Sequence, residues 1–85
     1  MSDQLAPQTP LADVQRVWPQ AVGALIAAEA RPVAERAGVL TVSCSASVWA
    51  QELEFMAPAI LERLNHALSG ARIMRLRCVA VPVRS

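Results

Sequence analysis

Residues 37–45 read Ala-Gly-Val-Leu-Thr-Val-Ser-Cys-Ser, and this stretch decides the fold that the sequence predicts. From residue 40 to residue 45, apolar residues alternate with hydroxyl-bearing ones, which is typical of a strand with one buried face. A second short stretch of strand character, Val33–Arg36, lies just before Ala37-Gly38. Because a two-residue connection containing glycine favours a tight hairpin, we expect strands over 33–36 and 39–45 joined by that turn.

A helical segment is expected before the hairpin. Apolar residues recur at helical spacing between residues 11 and 26. Pro19 lacks an N–H group, so we expect a kink there or a new helix beginning near Trp18. Gly23 stands among small side chains, which favours close approach of another element, and Pro32 is expected to end the segment.

A second helical segment follows the hairpin. Ser47 is a candidate N-cap, and an apolar stripe then runs from residue 49 to residue 68. Pro58 interrupts the stripe, so two helices meeting near Ala57-Pro58 remain an alternative to one. Ser69-Gly70 is a stop signal for the helix.

A third strand is predicted over residues 72–83, where Pro82 either ends the strand or marks it as an edge strand. One face is expected to pack on the core and carries Met74, Leu76, Cys78 and Ala80. The other carries Ile73, Arg75, Arg77, Val79 and Val81. The α-β-β-α-β order predicts an α+β two-layer domain over residues 11–85, in which a three-stranded sheet packs against helices, after a disordered tail over residues 1–10.

Composition and charge bound the function. Eighty-five residues allow one domain, and a hydrophobic fraction of 54% excludes a disordered chain. Residues 1–62 carry a net charge of −4, whereas residues 63–85 hold five arginines and no acid. That basic end fits a polyanionic partner or a merely solvated sheet face. No signal peptide or membrane-spanning run is recognisable, so we expect a cytoplasmic protein without membrane contact.

The residue types needed for catalysis are scarce. His66 is the single histidine, and we interpret it as a surface residue because a triad also needs a positioned nucleophile. Cys44 and Cys78 fall on predicted core faces, which favours small buried side chains over a redox pair. Three glycines cannot build a phosphate-binding loop. We therefore expect no enzyme, no cofactor and no metal.

The predicted last strand offers a binding surface. Arg75 and Arg77 project from one face about 6.6 Å apart, near the spacing of consecutive phosphates, and Arg72 and Arg84 bracket them. These four arginines are the candidate nucleic-acid-binding residues. The tryptophans Trp18 and Trp49 lie on apolar stripes and are expected in the core.

Six sequence blocks, in this order, resemble the DciA family of bacterial replication proteins. The resemblance spans residues 14–81, and two tryptophan blocks with Gly-x-Leu-Thr-Val between them are its most specific feature. The blocks are Val17–Gly23, Arg31–Val33, Gly38–Val42, Ser47–Leu53, Ile60–Asn65 and Arg72–Arg77.

The resemblance implies a KH-like domain and a non-enzymatic factor that assists the replicative DnaB-type helicase in replication initiation. DNA, single- or double-stranded and bound with little sequence preference, is the implied second partner. KH domains usually clamp nucleic acid with a GXXG loop between two helices, but residues 56–59 read Met-Ala-Pro-Ala. Contact with DNA must then come from elsewhere. A general RNA- or DNA-binding module and a pure protein-interaction domain are the alternatives.

Overall fold

The computed structural model describes residues 10–68 and 72–80 and confirms the α+β fold with the expected order of elements. The elements are α1 (Pro10–Val22), α2 (Ala24–Glu29), β1 (Ala30–Arg36), β2 (Val39–Cys44), α3 (Ser47–Ala67) and β3 (Arg75–Ala80). Of the tail expected over residues 1–10, Pro10 is the first residue of α1, and residues 1–9 lie outside the described residues. The Ser69-Gly70 stop signal, Pro82 and Arg84 also lie outside them.

The three strands form one sheet in the order β1-β2-β3. β1 and β2 pair antiparallel as the predicted hairpin, whereas β2 and β3 are parallel neighbours. Parallel neighbours need a long crossover connection, and α3 supplies it. The sheet therefore has β2 at its centre.

The hairpin turn consists of two residues with positive φ, Ala37 at 53° and Gly38 at 86°. Positive φ at both positions is the geometry of a type I′ turn, which matches the twist of the flanking strands. The Gly38 N–H donates to Glu35 Oε2 at 2.8 Å, and the Gly38 carbonyl accepts from the N–H of Met74 at 2.8 Å. The turn thus also holds the segment that leads into β3.

Strand β1 begins at Ala30, three residues earlier than predicted. Pro32 does not end the preceding helix; it lies inside β1, is buried and pairs with Val42. An edge strand tolerates a proline, since one side of the strand needs no N–H donor. The register shifts between Pro32 and Ala34, so Val33 forms a bulge.

The expectation that a new helix begins near Trp18 is wrong, because α1 continues through Pro19 to Val22. The N–H of Gly23 donates to the Pro19 carbonyl at 2.8 Å, and the chain turns at Gly23, where φ is 94°. A Cβ atom at Gly23 would meet no atom within 4 Å, so this glycine serves the turn and not a close approach.

Helix α3 is continuous through Pro58, so the segment is one helix and not two. Pro58 is exposed, so its ring lies on the solvent side of the helix. Ser47 is also not the N-cap: Ala46 occupies that position, without a side-chain hydrogen bond.

The core lies between the sheet and the helices. Trp18 is 2% exposed, and its Nε1–H donates to the Ala30 carbonyl at 2.9 Å. Trp49, which was also expected in the core, is only half-buried at its border. The predicted inward residues of β2 are confirmed, and α3 covers them with four buried side chains: Ala50, Leu53, Ile60 and Leu64.

The segment before β3 reverses two expected positions. Ile73 is 1% exposed and Met74 is 67% exposed, the opposite of the predicted alternation, because the strand begins only at Arg75. The side-chain amide of Asn65 fixes this segment. Its Nδ2 donates to the Ile73 carbonyl at 2.8 Å, and its Oδ1 accepts from the Ile73 N–H at 2.7 Å.

Candidate nucleic-acid interface

Four exposed arginines share the sheet face that points away from the core. Since Leu40 points inward, its neighbours Val39 and Thr41 on β2 point outward. Val39 pairs with Arg36 on one side and with Arg75 on the other, and Thr41 pairs with Arg77. Arg31 pairs with Ser43, which also faces outward. We call the surface formed by the following residues the outer face: Arg31, Ala34, Arg36, Val39, Thr41, Ser43, Arg75, Arg77 and Val79.

The bulge in β1 brings Arg31 and Arg36 to the same face. The two residues are five positions apart, and in a regular strand an odd separation would place them on opposite faces. Val33 is the unpaired extra residue, so it restores an even step between them. The arginines of β1 therefore lie on one side of β2, and those of β3 lie on the other.

No carboxylate lies on the outer face among the described residues. Glu35 pairs with Leu40 and belongs to the opposite face, where it accepts the Gly38 N–H. Within residues 10–68 and 72–80, the one ion pair joins Arg16 to Asp13 on α1, at 2.8 Å. Glu54 of α3 is the acid that borders the outer face, since it lines a cavity of about 350 Å³ together with Arg75 and Arg77.

The sequence-predicted site residues are only partly brought together. Arg75 and Arg77 lie side by side on the outer face as expected. Arg72 is exposed but lies elsewhere, at a groove of about 520 Å³ beside Glu62 and His66. Arg84 lies outside the described residues.

The prediction missed Arg31 and Arg36. It missed Arg31 because the expected strand began at Val33. Arg36 fell within that strand, but the bulge that aligns it with Arg31 leaves no clear mark in an alternation pattern. Arg31 next to a proline was the available signal, since a strand proline marks an edge or a bulge.

The KH-type clamp has no place in this structure. The residues at the expected junction, 56–59, lie inside the continuous helix α3. A GXXG loop binds through exposed backbone between two helices, whereas a helix interior uses its backbone groups internally. Any nucleic-acid contact must therefore use another surface.

The two cysteines are free, with Cys44 buried and Cys78 half-buried. Burial raises the pKa of the Cys44 thiol, and the nearby Glu54 adds to the effect. Burial, together with Cys44 and Glu54, raises the pKa of Cys78 to about 11. Both thiols are therefore protonated at neutral pH, which suits the predicted role of small core side chains. His66 is exposed, as expected.

Two further properties concern the described residues as a whole. They contain no cluster of three or more His, Cys, Asp or Glu side chains that could hold a metal ion. Among their helices, none is both long enough and apolar enough to cross a membrane.

Comparison with known proteins identifies the family. A family model described as "Dna[CI] antecedent, DciA" matches residues 2–78. The chain belongs to the DciA family. The resemblance found in the sequence blocks is thereby confirmed, and membership places the chain in the context of DNA replication.

Several UPF0232 proteins are similar to this DciA-family chain. One from Rhodococcus jostii is 38% identical over 60 residues, which cover 71% of this chain and 32% of that protein. One from Bifidobacterium longum is 31% identical over 67 residues, covering 79% and 43%. One from Streptomyces avermitilis is 37% identical over 62 residues, covering 71% and 34%. The chain thus spans less than half the length of these relatives.

Proposed function

We propose that this DciA-family chain is a non-enzymatic accessory factor in DNA replication initiation that interacts with the replicative DnaB-type helicase and with DNA. Family membership supports the replication context. The observation that supports the DNA contact is the charge of the outer face. Four exposed arginines lie on this face, and none of the carboxylates in the described residues does.

The arrangement of the arginines suits a phosphate backbone. Adjacent strands lie about 4.8 Å apart, so the arginine rows of β1 and β3 are separated by about 10 Å at the backbone. Arginine stays charged at any physiological pH and presents a fork of donors that matches phosphate oxygens. A polyanionic strand lying along β2 is then within reach of both rows.

The opposite layer of the molecule supplies a surface for the protein partner. Phe55 is 87% exposed and Val48 is 56% exposed. At about 100° per residue, both lie roughly 200° around α3 from the buried Leu53, so they point away from the core. Exposed aromatic side chains are typical anchors of protein interfaces. We assign the helicase contact to this side of α3, which leaves the outer face free for DNA.

A salt series tests the DNA contact. The wild type, Arg75→Ala/Arg77→Ala and Arg31→Ala/Arg36→Ala are titrated with fluorescent single-stranded DNA at several salt concentrations. Each lost phosphate contact should flatten the log–log salt dependence by about 0.7. Arg16→Ala is the matched control, because Arg16 is an exposed arginine on α1, away from the outer face. Unchanged affinity and slope in both double variants would leave these arginines as a solvated face.

A pull-down with the host's replicative helicase tests the protein contact. Phe55→Ser should abolish or strongly reduce capture of the helicase while DNA affinity is retained. Leu25→Ser is the control, since Leu25 is another largely exposed apolar residue and lies on α2. Helicase capture that is lost with the arginine variants and kept with Phe55→Ser would contradict this assignment.

The exposed Phe55 also favours the alternative of a pure protein-interaction domain. That alternative predicts helicase or other protein capture that depends on Phe55, without salt-dependent binding of nucleic acid. The salt series therefore separates the two functions.

A further inference from the structure

We propose that the central strand of the outer face is a phosphate track, on which Thr41 and Ser43 bind consecutive phosphates and the bases are not contacted. The inference rests on the proposed DNA-binding function and deepens it. It assigns two uncharged residues to the site and makes the sugar–phosphate backbone the whole of the recognised ligand.

Each of the two hydroxyls is placed beside an arginine. Thr41 pairs with Arg77 of β3, and Ser43 pairs with Arg31 of β1. Both hydroxyl-bearing residues are half-buried between their flanking strands. Neither side chain makes a hydrogen bond to another residue in the described part of the chain, so both hydroxyls can serve a ligand.

The spacing of these pairs fits a nucleic-acid backbone. Residues two apart on a strand project from one face about 6.6 Å apart, which is close to the distance between consecutive phosphates of an extended strand. At each position a phosphate meets one neutral donor from β2 and one guanidinium from a flanking strand about 4.8 Å away. Alternation of the guanidinium between β3 and β1 centres the backbone on β2.

The outer face has no aromatic side chain on which a base could stack. The chain has no tyrosine, and its aromatic residues are two tryptophans and one phenylalanine. Trp18 is buried in the core, Trp49 packs at the border of the core, and Phe55 lies on α3. Proteins that bind single strands usually add aromatic stacking to a basic groove. Contacts limited to the backbone position a nucleic acid without reading its sequence.

The hydroxyls carry no charge, so their contribution to binding can be measured separately from that of the arginines. Thr41→Val and Ser43→Ala should each weaken binding by about tenfold, the effect of losing one hydrogen bond to a charged acceptor. Their salt dependence should stay that of the wild type, because a hydroxyl displaces no counterion. Arg77→Ala and Arg31→Ala should instead flatten it. Thr41→Ser keeps the hydroxyl and should bind as the wild type does, and Ser47→Ala is a control on α3.

An abasic oligonucleotide tests the absence of base contacts. The full chain is titrated with a single strand of abasic sites and with oligothymidylate of the same length at the same salt concentration. Equal affinities are expected, and both should fall in Thr41→Val and Ser43→Ala. An abasic strand that binds more than about fivefold weaker would overturn the proposal, since a single stacked base is worth at least about 1 kcal/mol.

The outcomes distinguish this inference from the function on which it rests. If the wild type binds no DNA, or if all four outer-face arginines can be removed without effect, the proposed DNA contact fails. If the arginine variants lose affinity while Thr41→Val and Ser43→Ala bind as the wild type does, only the phosphate track is wrong.

Discussion

The positions of individual arginines and tryptophans in the fold determine what each of them contributes. The described residues contain one ion pair, so the exposed arginines of the outer face are held by strand register and not by acidic partners. The tryptophans differ in role: Trp18 fills the core and ties α1 to the start of β1, whereas Trp49 only borders the core. Helical spacing predicts which residues form the apolar stripe, but it does not show which of them lie in the centre of the core and which at its border.

The free energy of unfolding should depend on pH between pH 9 and pH 11 through the cysteine thiols. The chain has no tyrosine and no lysine, so its cysteines are the side chains that titrate between pH 9 and pH 11. Folding raises the pKa of Cys78 from 9.0 to about 11. The unfolded chain therefore loses this proton first, and the free energy of unfolding should fall as the pH rises from 9 to 11.

The measurement is chemical unfolding at a series of pH values. Cys78→Ala should flatten the decline, since the half-buried thiol tolerates a small apolar replacement. A decline of the same size in Cys78→Ala would show that another group causes it.

At the scale of the elements, alternation and turn chemistry predicted what is regular. The hairpin, the inward residues of β2 and the shared face of Arg75 and Arg77 all follow from a period of two and a turn that needs positive φ. The failures are local. Pro32 was expected to end a helical segment, and a division of the helix was an alternative at Pro19 and at Pro58, but each of the three prolines lies inside one element. In α1 and α3, packing of the buried faces outweighs the hydrogen bond that a proline removes, whereas β1 is an edge strand that tolerates a proline. Helix and strand propensities include neither effect.

The role of Arg31 illustrates why half of the candidate site was not predictable. Its side chain reaches the outer face only because one residue, Val33, bulges out of β1. A bulge changes the face of every residue before it, and its position depends on pairing with β2. The pairing of β1 with β2 is a long-range interaction, so the sequence pattern within residues 30–36 cannot predict where the bulge lies.

Continuity of α3 predicts that Pro58 destabilises the native chain. Pro58→Ala restores one backbone hydrogen bond and removes a steric clash, against a smaller gain in the entropy of the unfolded chain. We expect the free energy of unfolding to rise by about 1–2 kcal/mol. Pro58 is exposed, so no core contact is lost.

Ala59→Gly is the matched control, because glycine in a helix interior should cost about 1 kcal/mol. Thermal unfolding of both variants gives the comparison. If neither substitution changes stability, residues 57–59 are not helical, and the two-helix arrangement of a KH domain would return.

At the scale of the whole molecule, the sheet and the helices present different chemistry to solvent. The outer face is basic and has no aromatic side chain among the described residues. The far side of α3 exposes Phe55 and Val48, next to acidic Glu52 and Glu62. The nucleic-acid contact and the protein contact that we propose therefore lie on different surfaces of the molecule.

An NMR titration of the isotopically labelled chain with single-stranded DNA tests the location of the nucleic-acid contact most directly. We expect the largest amide shift changes to cluster on the outer face, at Arg31, Thr41, Ser43, Arg75 and Arg77. Amides over residues 55–62 of α3 should stay unchanged. Shift changes concentrated at residues 56–59, with the sheet unaffected, would contradict the account and restore the helix junction as the binding site.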